Sequence, residues 1–129
     1  MVAFEPIGKV RVENGRYFLD IQKRLLPALW TLDEYSHIQM IWWFNLCDSQ
    51  ETRNHLVMDK PYKRGPAKVG VLATRGPVRP NPIAVTACRL LKADPKSGIL
   101  EVDYTDAENG TPILDIKPCH PSSDTVRDV

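Results

Sequence analysis

The chain has no C-x-x-C pair, and its three cysteines, Cys47, Cys88 and Cys119, are odd in number and widely spaced. That argues against a disulfide framework and against a structural zinc site, and it suits a reducing compartment, so a metal-free cytoplasmic protein is expected. No stretch approaches the roughly 18 consecutive apolar residues that a membrane helix needs. The opening Met-Val-Ala-Phe-Glu-Pro has no charged stretch leading into an apolar one, so no secretory signal is expected. Neither charge is in excess: 17 Lys and Arg against 16 Asp and Glu leave a net charge of +1. A general basic coat for nucleic acid is therefore absent, and any RNA binding must rest on a local patch. No G-x-G-x-x-G follows a predicted strand, which argues against a Rossmann-type cofactor fold. Repeats and low-complexity segments are also missing. What remains is an ordinary globular composition, 43% hydrophobic and 26% charged over 129 residues, expected to form one domain spanning 1–129.

Hydrophobic patterning predicts mostly short strands. Phe4–Val12 and Arg16–Ile21 flank Glu13-Asn14-Gly15, where Asn-Gly accepts positive φ at little cost and so signals a hairpin. Gln22–Trp30 carries Leu25, Leu26 and Leu29 at helical spacing, but Pro27 limits it to a short turn. Ile38–Leu46 reads as a buried aromatic strand in which Trp42 and Trp43 face opposite ways, with at least one in the core. Asp48–Gly65 is polar, without a clean period, and reads as a long loop. Lys68–Ala73, Ile83–Leu91, Ile99–Tyr104 and Pro112–Lys117 complete the strands, with Leu100, Val102 and Tyr104 on one face. The tail from Pro121, and the domain end at 122–129, is expected to fray. The pattern predicts an all-β fold, a small antiparallel barrel or open sheet with short helical turns and one long loop.

The densest chemistry lies between Arg75 and Pro82. Three prolines, two arginines and one asparagine share eight residues. Proline fixes its own φ and restricts the residue before it. Arg75, Arg79 and Asn81 are therefore either donors preorganised for an anion or a base edge, or members of surface ion pairs on a stiff loop. Elsewhere, Ser36-His37 precedes the aromatic strand and reads on its own as a structural hydrogen-bonding pair. Asp103-Tyr104-Thr105-Asp106 ends a strand and reads as a solvated turn. Asp115 and Lys117 lie two apart on a strand and share a face, either as an exposed ion pair or as a base and cation at a pocket.

Four ordered segments, from residue 6 to residue 118, resemble the TsaA-like family, which includes tRNA methyltransferases acting on threonylcarbamoyl-adenosine. Arg75 to Ile83 is similar to its R-S-P-x-R-P-N-P-I-G signature. Leu32-Asp33-Glu34-Tyr35-Ser36-His37-Ile38 with Ile41-Trp42-Trp43-Phe44 is similar to its L-x-x-F-S-H-I segment and aromatic strand, and Asn109 to Pro118 to its D-G-T-P-[IV]-[LV]-D-I-K-P-Y. Pro6-Ile7-Gly8-Lys9-Val10 is a weaker match. The chain departs from the pattern at Asn45, Gly76, Ala84, Asn109 and Cys119. The resemblance implies a single-sheet β-barrel working as a homodimer, with S-adenosyl-L-methionine as cofactor and tRNA as substrate. It implies cofactor contacts at Ser36, His37, Lys68, Arg75, Val78, Arg79, Asp103, Tyr104, Thr105 and Asp106, and catalytic roles for Asp115, Lys117 and Asn81. A cofactor-binding module without catalysis and a small-molecule methyltransferase are the alternatives.

Overall fold

The computed structural model describes residues 1–126. They divide into two compact units, one made of Met1–Trp42 and the chain from Val85 on, the other of Trp43–Ala84. In the first unit, β1 (Gly8–Glu13) and β2 (Arg16–Ile21) pair in antiparallel register from Gly8↔Ile21 to Glu13↔Arg16. Their turn is made by Asn14 and Gly15 with φ of 51° and 73°, the positive pair that a tight twisted hairpin requires. A 3-10 helix, Lys23–Leu29, contains Pro27. Next come β3 (His37–Trp43), β6 (Ile83–Asp94), β7 (Ile99–Val102) and β8 (Pro112–Pro118), with β4 (Val57–Asp59) and β5 (Lys68–Gly70) falling between β3 and β6 in sequence. The barrel closes in the order β1-β2-β7-β6-β3-β8, as the resemblance implies. Closure removes both sheet edges. Its interior holds Val10, Leu19, Ile38, Met40, Leu100, Val102 and Ile113, all essentially inaccessible to solvent.

Several boundaries differ from the sequence expectation. β1 starts at Gly8 rather than Phe4, and Phe4 is exposed. β3 stops at Trp43, because Phe44 turns to ψ 63° and a 3-10 turn, Asn45–Cys47, follows. β7 stops at Val102, so Tyr104 does not join Leu100 and Val102 inside; it is exposed, edge-on to the Tyr17 ring at 5.4 Å. Of the two tryptophans, Trp42 is buried and Trp43 half-buried.

The second unit is not a plain loop. Ser49 caps a five-residue helix, α1 (Gln50–Asn54), in a reciprocal arrangement with Thr52. β4 pairs with β5 through Val57↔Gly70, Met58↔Val69 and Asp59↔Lys68. The predicted strand to Ala73 ends at Gly70, and Val71–Ala73 forms a 3-10 turn. Residues this short and polar carry no readable period, which is why patterning missed α1 and β4. Within the segment expected to fray, Pro121–Asp124 makes one helical turn, α2, capped by the His120 side chain; residues 127–129 of that expectation lie outside the described residues.

Candidate functional site

The proline loop belongs to the 43–84 unit, and its shape is fixed by arginine from two directions. Arg79 Nη1 donates to the carbonyl oxygens of Thr74 at 2.9 Å and Gly76 at 3.2 Å. Arg53 Nη1 donates to the Pro80 carbonyl at 3.3 Å. Arg53 is itself held in a two-pronged pair with Asp48, Nε to Oδ1 at 2.6 Å and Nη2 to Oδ2 at 2.9 Å. Trp43 Nε1 adds a third donor to Asp48 Oδ2 at 3.0 Å. Hydrogen bonds from Arg53, then from Trp43, hold the Asp48 carboxyl below its ordinary value, and Asp48 raises Arg53 in turn. Prolines remove the loop's own amide donors, so its carbonyls are satisfied by side chains instead.

Arg75 and Val78, two of the expected cofactor contacts, line a cavity of about 340 Å³ together with Met58, Tyr62, Thr74 and Pro77. Arg79 keeps Nε and Nη2 without a protein partner among the described residues. Asn81 is exposed. Lys68 is also exposed, on β5 opposite Asp59, and is not part of the cavity wall.

In the barrel unit the remaining expected residues fall into three groups. Ser36 Oγ and His37 Nδ1 lie 2.8 Å apart at the start of β3, while their carbonyls accept the Leu90 and Cys119 amides. The segment after β7 is tightly bonded. Asp103 accepts the Arg89 amide at 2.9 Å, and buried Thr105 accepts the Ala107 amide at 3.0 Å. Asp106 Oδ1 accepts from Thr86 Oγ1 at 2.7 Å, and Thr86 Oγ1 accepts from Trp42 Nε1 at 2.9 Å. An indole nitrogen only donates. The Thr86 hydroxyl must therefore spend its single proton on Asp106, so a buried tryptophan sets the orientation of an exposed carboxylate. Third, Asp115 and Lys117 pair at 3.2 Å on the outer face, opposite Ile41 and Gln39. Asp115 also borders an apolar cavity of about 350 Å³ walled by Leu25, Leu29, Trp30, Tyr35 and Ile116.

Sequence reasoning missed Tyr62, Thr86 and the Asp48–Arg53 clamp. Trp42 and Thr86 are 44 residues apart, so only a β3–β6 pairing brings them together. Arg53 lies five residues after Asp48, on a short helix that patterning could not detect. Nucleophilic catalysis by thiolate is disfavoured at Cys88: burial, then Asp103 and Asp106, push its thiol up to about 12. Among the described residues no group of three His, Cys, Asp or Glu is placed to hold a metal ion, and no helix is long and apolar enough to cross a membrane.

These residues fit the chemistry of S-adenosyl-L-methionine. Its ring needs a flat apolar slot, its carboxylate a guanidinium, and its cation or hydroxyls a carboxylate. The cavity of the 43–84 unit offers the first two, through Val78, Pro77 and Arg75; in the barrel unit Asp106 and Asp115 are hydrogen-bonded carboxylates.

The sequence model of the tRNA-methyltransferase O N-terminal domain matches residues 5–125. A probable S-adenosyl-L-methionine-binding protein of Pyrococcus horikoshii is 33% identical over 87% of this chain and 78% of its own length. The tRNA (adenine(37)-N6)-methyltransferase of Escherichia coli is 31% identical over 94% of this chain and 52% of its own. The crystal structure of TrmO from Pseudomonas aeruginosa superposes with a TM-score of 0.73 at 27% identity, covering all of this chain and 60% of that one. The chain thus spans about half to three-quarters of the length of these relatives.

Proposed function

We propose that this chain, which belongs to the tRNA-methyltransferase O N-terminal domain family, is an S-adenosyl-L-methionine-dependent methyltransferase that acts on tRNA. The match over residues 5–125 carries the reading, together with a cavity beside the proline loop that holds Arg75 and Val78. When bound, S-adenosyl-L-methionine supplies an electrophilic methyl group on a sulfonium centre. Val78, Pro77 and Tyr62 receive its flat ring, and Arg75 its carboxylate. In the barrel unit, Asp106, aligned by Thr86 and Trp42, is a carboxylate suited to hydroxyls or an amino group. Asp115, with Lys117 beside it to hold the carboxylate in place, is the barrel unit's proton acceptor for the attacking amine, and Asn81 is the 43–84 unit's polar contact for substrate. Positioning of nucleophile and methyl group supplies most of the acceleration in such a transfer.

The working form in this proposal is a cytoplasmic homodimer. The apolar runs Leu25–Leu29 and Ile41–Phe44 offer little surface to a partner: Leu29 and Trp42 are buried, and Leu25, Leu26, Ile41 and Phe44 half-buried. The support comes instead from Trp30, 72% exposed at the rim of the barrel-unit cavity, and from Leu91 on β6. Light scattering at micromolar concentration should give twice the chain mass; a single-chain mass in protein that binds cofactor fully would refute the dimer.

The test of the reading is incubation with methyl-labelled S-adenosyl-L-methionine and tRNA, followed by mass spectrometry of the nucleosides. Label in a modified adenosine is expected. Saturable cofactor binding with no label in tRNA would favour the binding-module alternative, consistent with the name of the Pyrococcus horikoshii relative.

A further inference from the structure

We propose that the loop closing the β4–β5 hairpin, residues 60–67, is a docking surface for the phosphate backbone of RNA. The inference rests on tRNA being the substrate, and adds where on the chain it is held.

The chain is nearly neutral overall, yet its charge is strongly partitioned. From Lys60 to Ala93 there is no Asp or Glu, while eight Lys and Arg occur. The 43–84 unit holds seven of the 17 cationic residues and three of the 16 acidic ones, a net +4, against −3 for the rest of the chain. Three of those cations, Lys60, Lys63 and Arg64, sit within five residues on the hairpin loop, all exposed. None forms an ion pair among the described residues, whereas Arg11, Arg16, Arg24 and Arg53 all do. Exposed cations left without carboxylate partners are available to phosphates, and a cluster of them raises local counter-ion concentration where net charge does not.

The loop has a defined shape. Lys60 N–H donates to the Ala67 carbonyl at 2.7 Å, and Gly65 N–H to the Tyr62 carbonyl at 3.4 Å, closing a turn that displays Lys63 and Arg64. Pro61 and Pro66 stiffen it on both sides. The same loop also supplies Pro61 and Tyr62 to the wall of the cavity that holds Arg75 and Val78. An RNA strand held by these cations therefore lies beside the slot assigned above to the methyl donor. One short segment would then bind the polyanion on its outer side and wall the cofactor slot on its inner side.

The experiment measures tRNA affinity as a function of salt for the full chain, for the triple variant Lys60→Gln, Lys63→Gln, Arg64→Gln, and for the charge-preserving variant Lys60→Arg, Lys63→Arg, Arg64→Lys. Each phosphate contact contributes about 0.7–0.9 to the slope of log K against log salt. The glutamine variant should lose about 2–3 of that slope and on the order of a hundredfold in affinity at 0.1 M salt. The charge-preserving variant should retain both, and calorimetry should find S-adenosyl-L-methionine affinity unchanged in all three. An unchanged slope in the glutamine variant, while wild type still methylates tRNA, would overturn the docking surface and leave the function standing. The expected slope loss with no methyl transfer by wild type would instead support the surface and refute the function. Wild type that binds no tRNA would overturn both.

Discussion

The barrel and the 43–84 unit are stabilised by different physics. Of the 14 buried hydrophobic residues found among the described residues, 12 belong to the barrel unit; the other unit has Val71 and Ala84, with Pro82 also fully buried. The barrel is held by a closed ladder around aliphatic side chains. The smaller unit is held by polar side chains reaching carbonyls: Arg79 to Thr74 and Gly76, Arg53 to Asp48 and Pro80. Burial supplies about 25 cal/mol per Å² and makes a rigid scaffold, whereas half-exposed ion pairs contribute little each and open locally. A segment of the second kind can carry exposed cations and a binding loop without compromising the core.

The largest expected effect is in the barrel. Met40→Ala removes a fully buried side chain and should cost about 2–5 kcal/mol of global stability, read by urea denaturation. A smaller cost would mean that the barrel is not the main source of stability. Next comes Gly8→Ala. A Cβ at Gly8 would overlap the Asp20 carbonyl oxygen on the paired strand, so a loss of about 1–3 kcal/mol is expected in the same assay. Arg53→Lys loses the two-pronged fit to Asp48 and the reach to Pro80. Its effect on global stability should be small, since solvent screens the pair. It should appear as faster amide exchange in residues 74–83 with the barrel midpoint nearly unmoved; a matching loss in the barrel would break the contrast.

The smallest effect is with acid. Asp48 is held below its ordinary value of 3.8 in the folded state. Its stabilisation is therefore complete above that value and is lost as pH falls through the lowered one. Exchange in 43–84 should accelerate there, and Asp48→Asn should remove that pH dependence.

Much of the barrel is visible in the sequence because its strands alternate and its turns are chemically explicit. Asn14-Gly15 demands the positive φ it receives, and Ile99 to Val102 places Leu100 and Val102 inside. The weak Pro6 to Val10 match acquires a cause in the structure: Gly8 stands where only a hydrogen fits against β2. The smaller unit was harder to read, since a five-residue helix and three-residue strands carry no period, and its clamp depends on tertiary geometry. For the site, the sequence located the chemically dense segments but not their internal bonding. Arg79 was expected as a ligand donor, yet one of its nitrogens organises the loop. Asp106 was expected alone, yet it is aligned by Thr86 on β6 and Trp42 on β3.

The division of labour between scaffold and binding loop is tested most directly by hydrogen exchange of the full chain with and without saturating S-adenosyl-L-methionine. Protection gained on binding is expected to concentrate in the amides of residues 74–81, with a smaller gain at 103–106, while the amides of β1, β2 and β7 stay as slow as in the free protein. Protection confined to the barrel strands, with the proline loop exchanging as fast as before, would contradict the account.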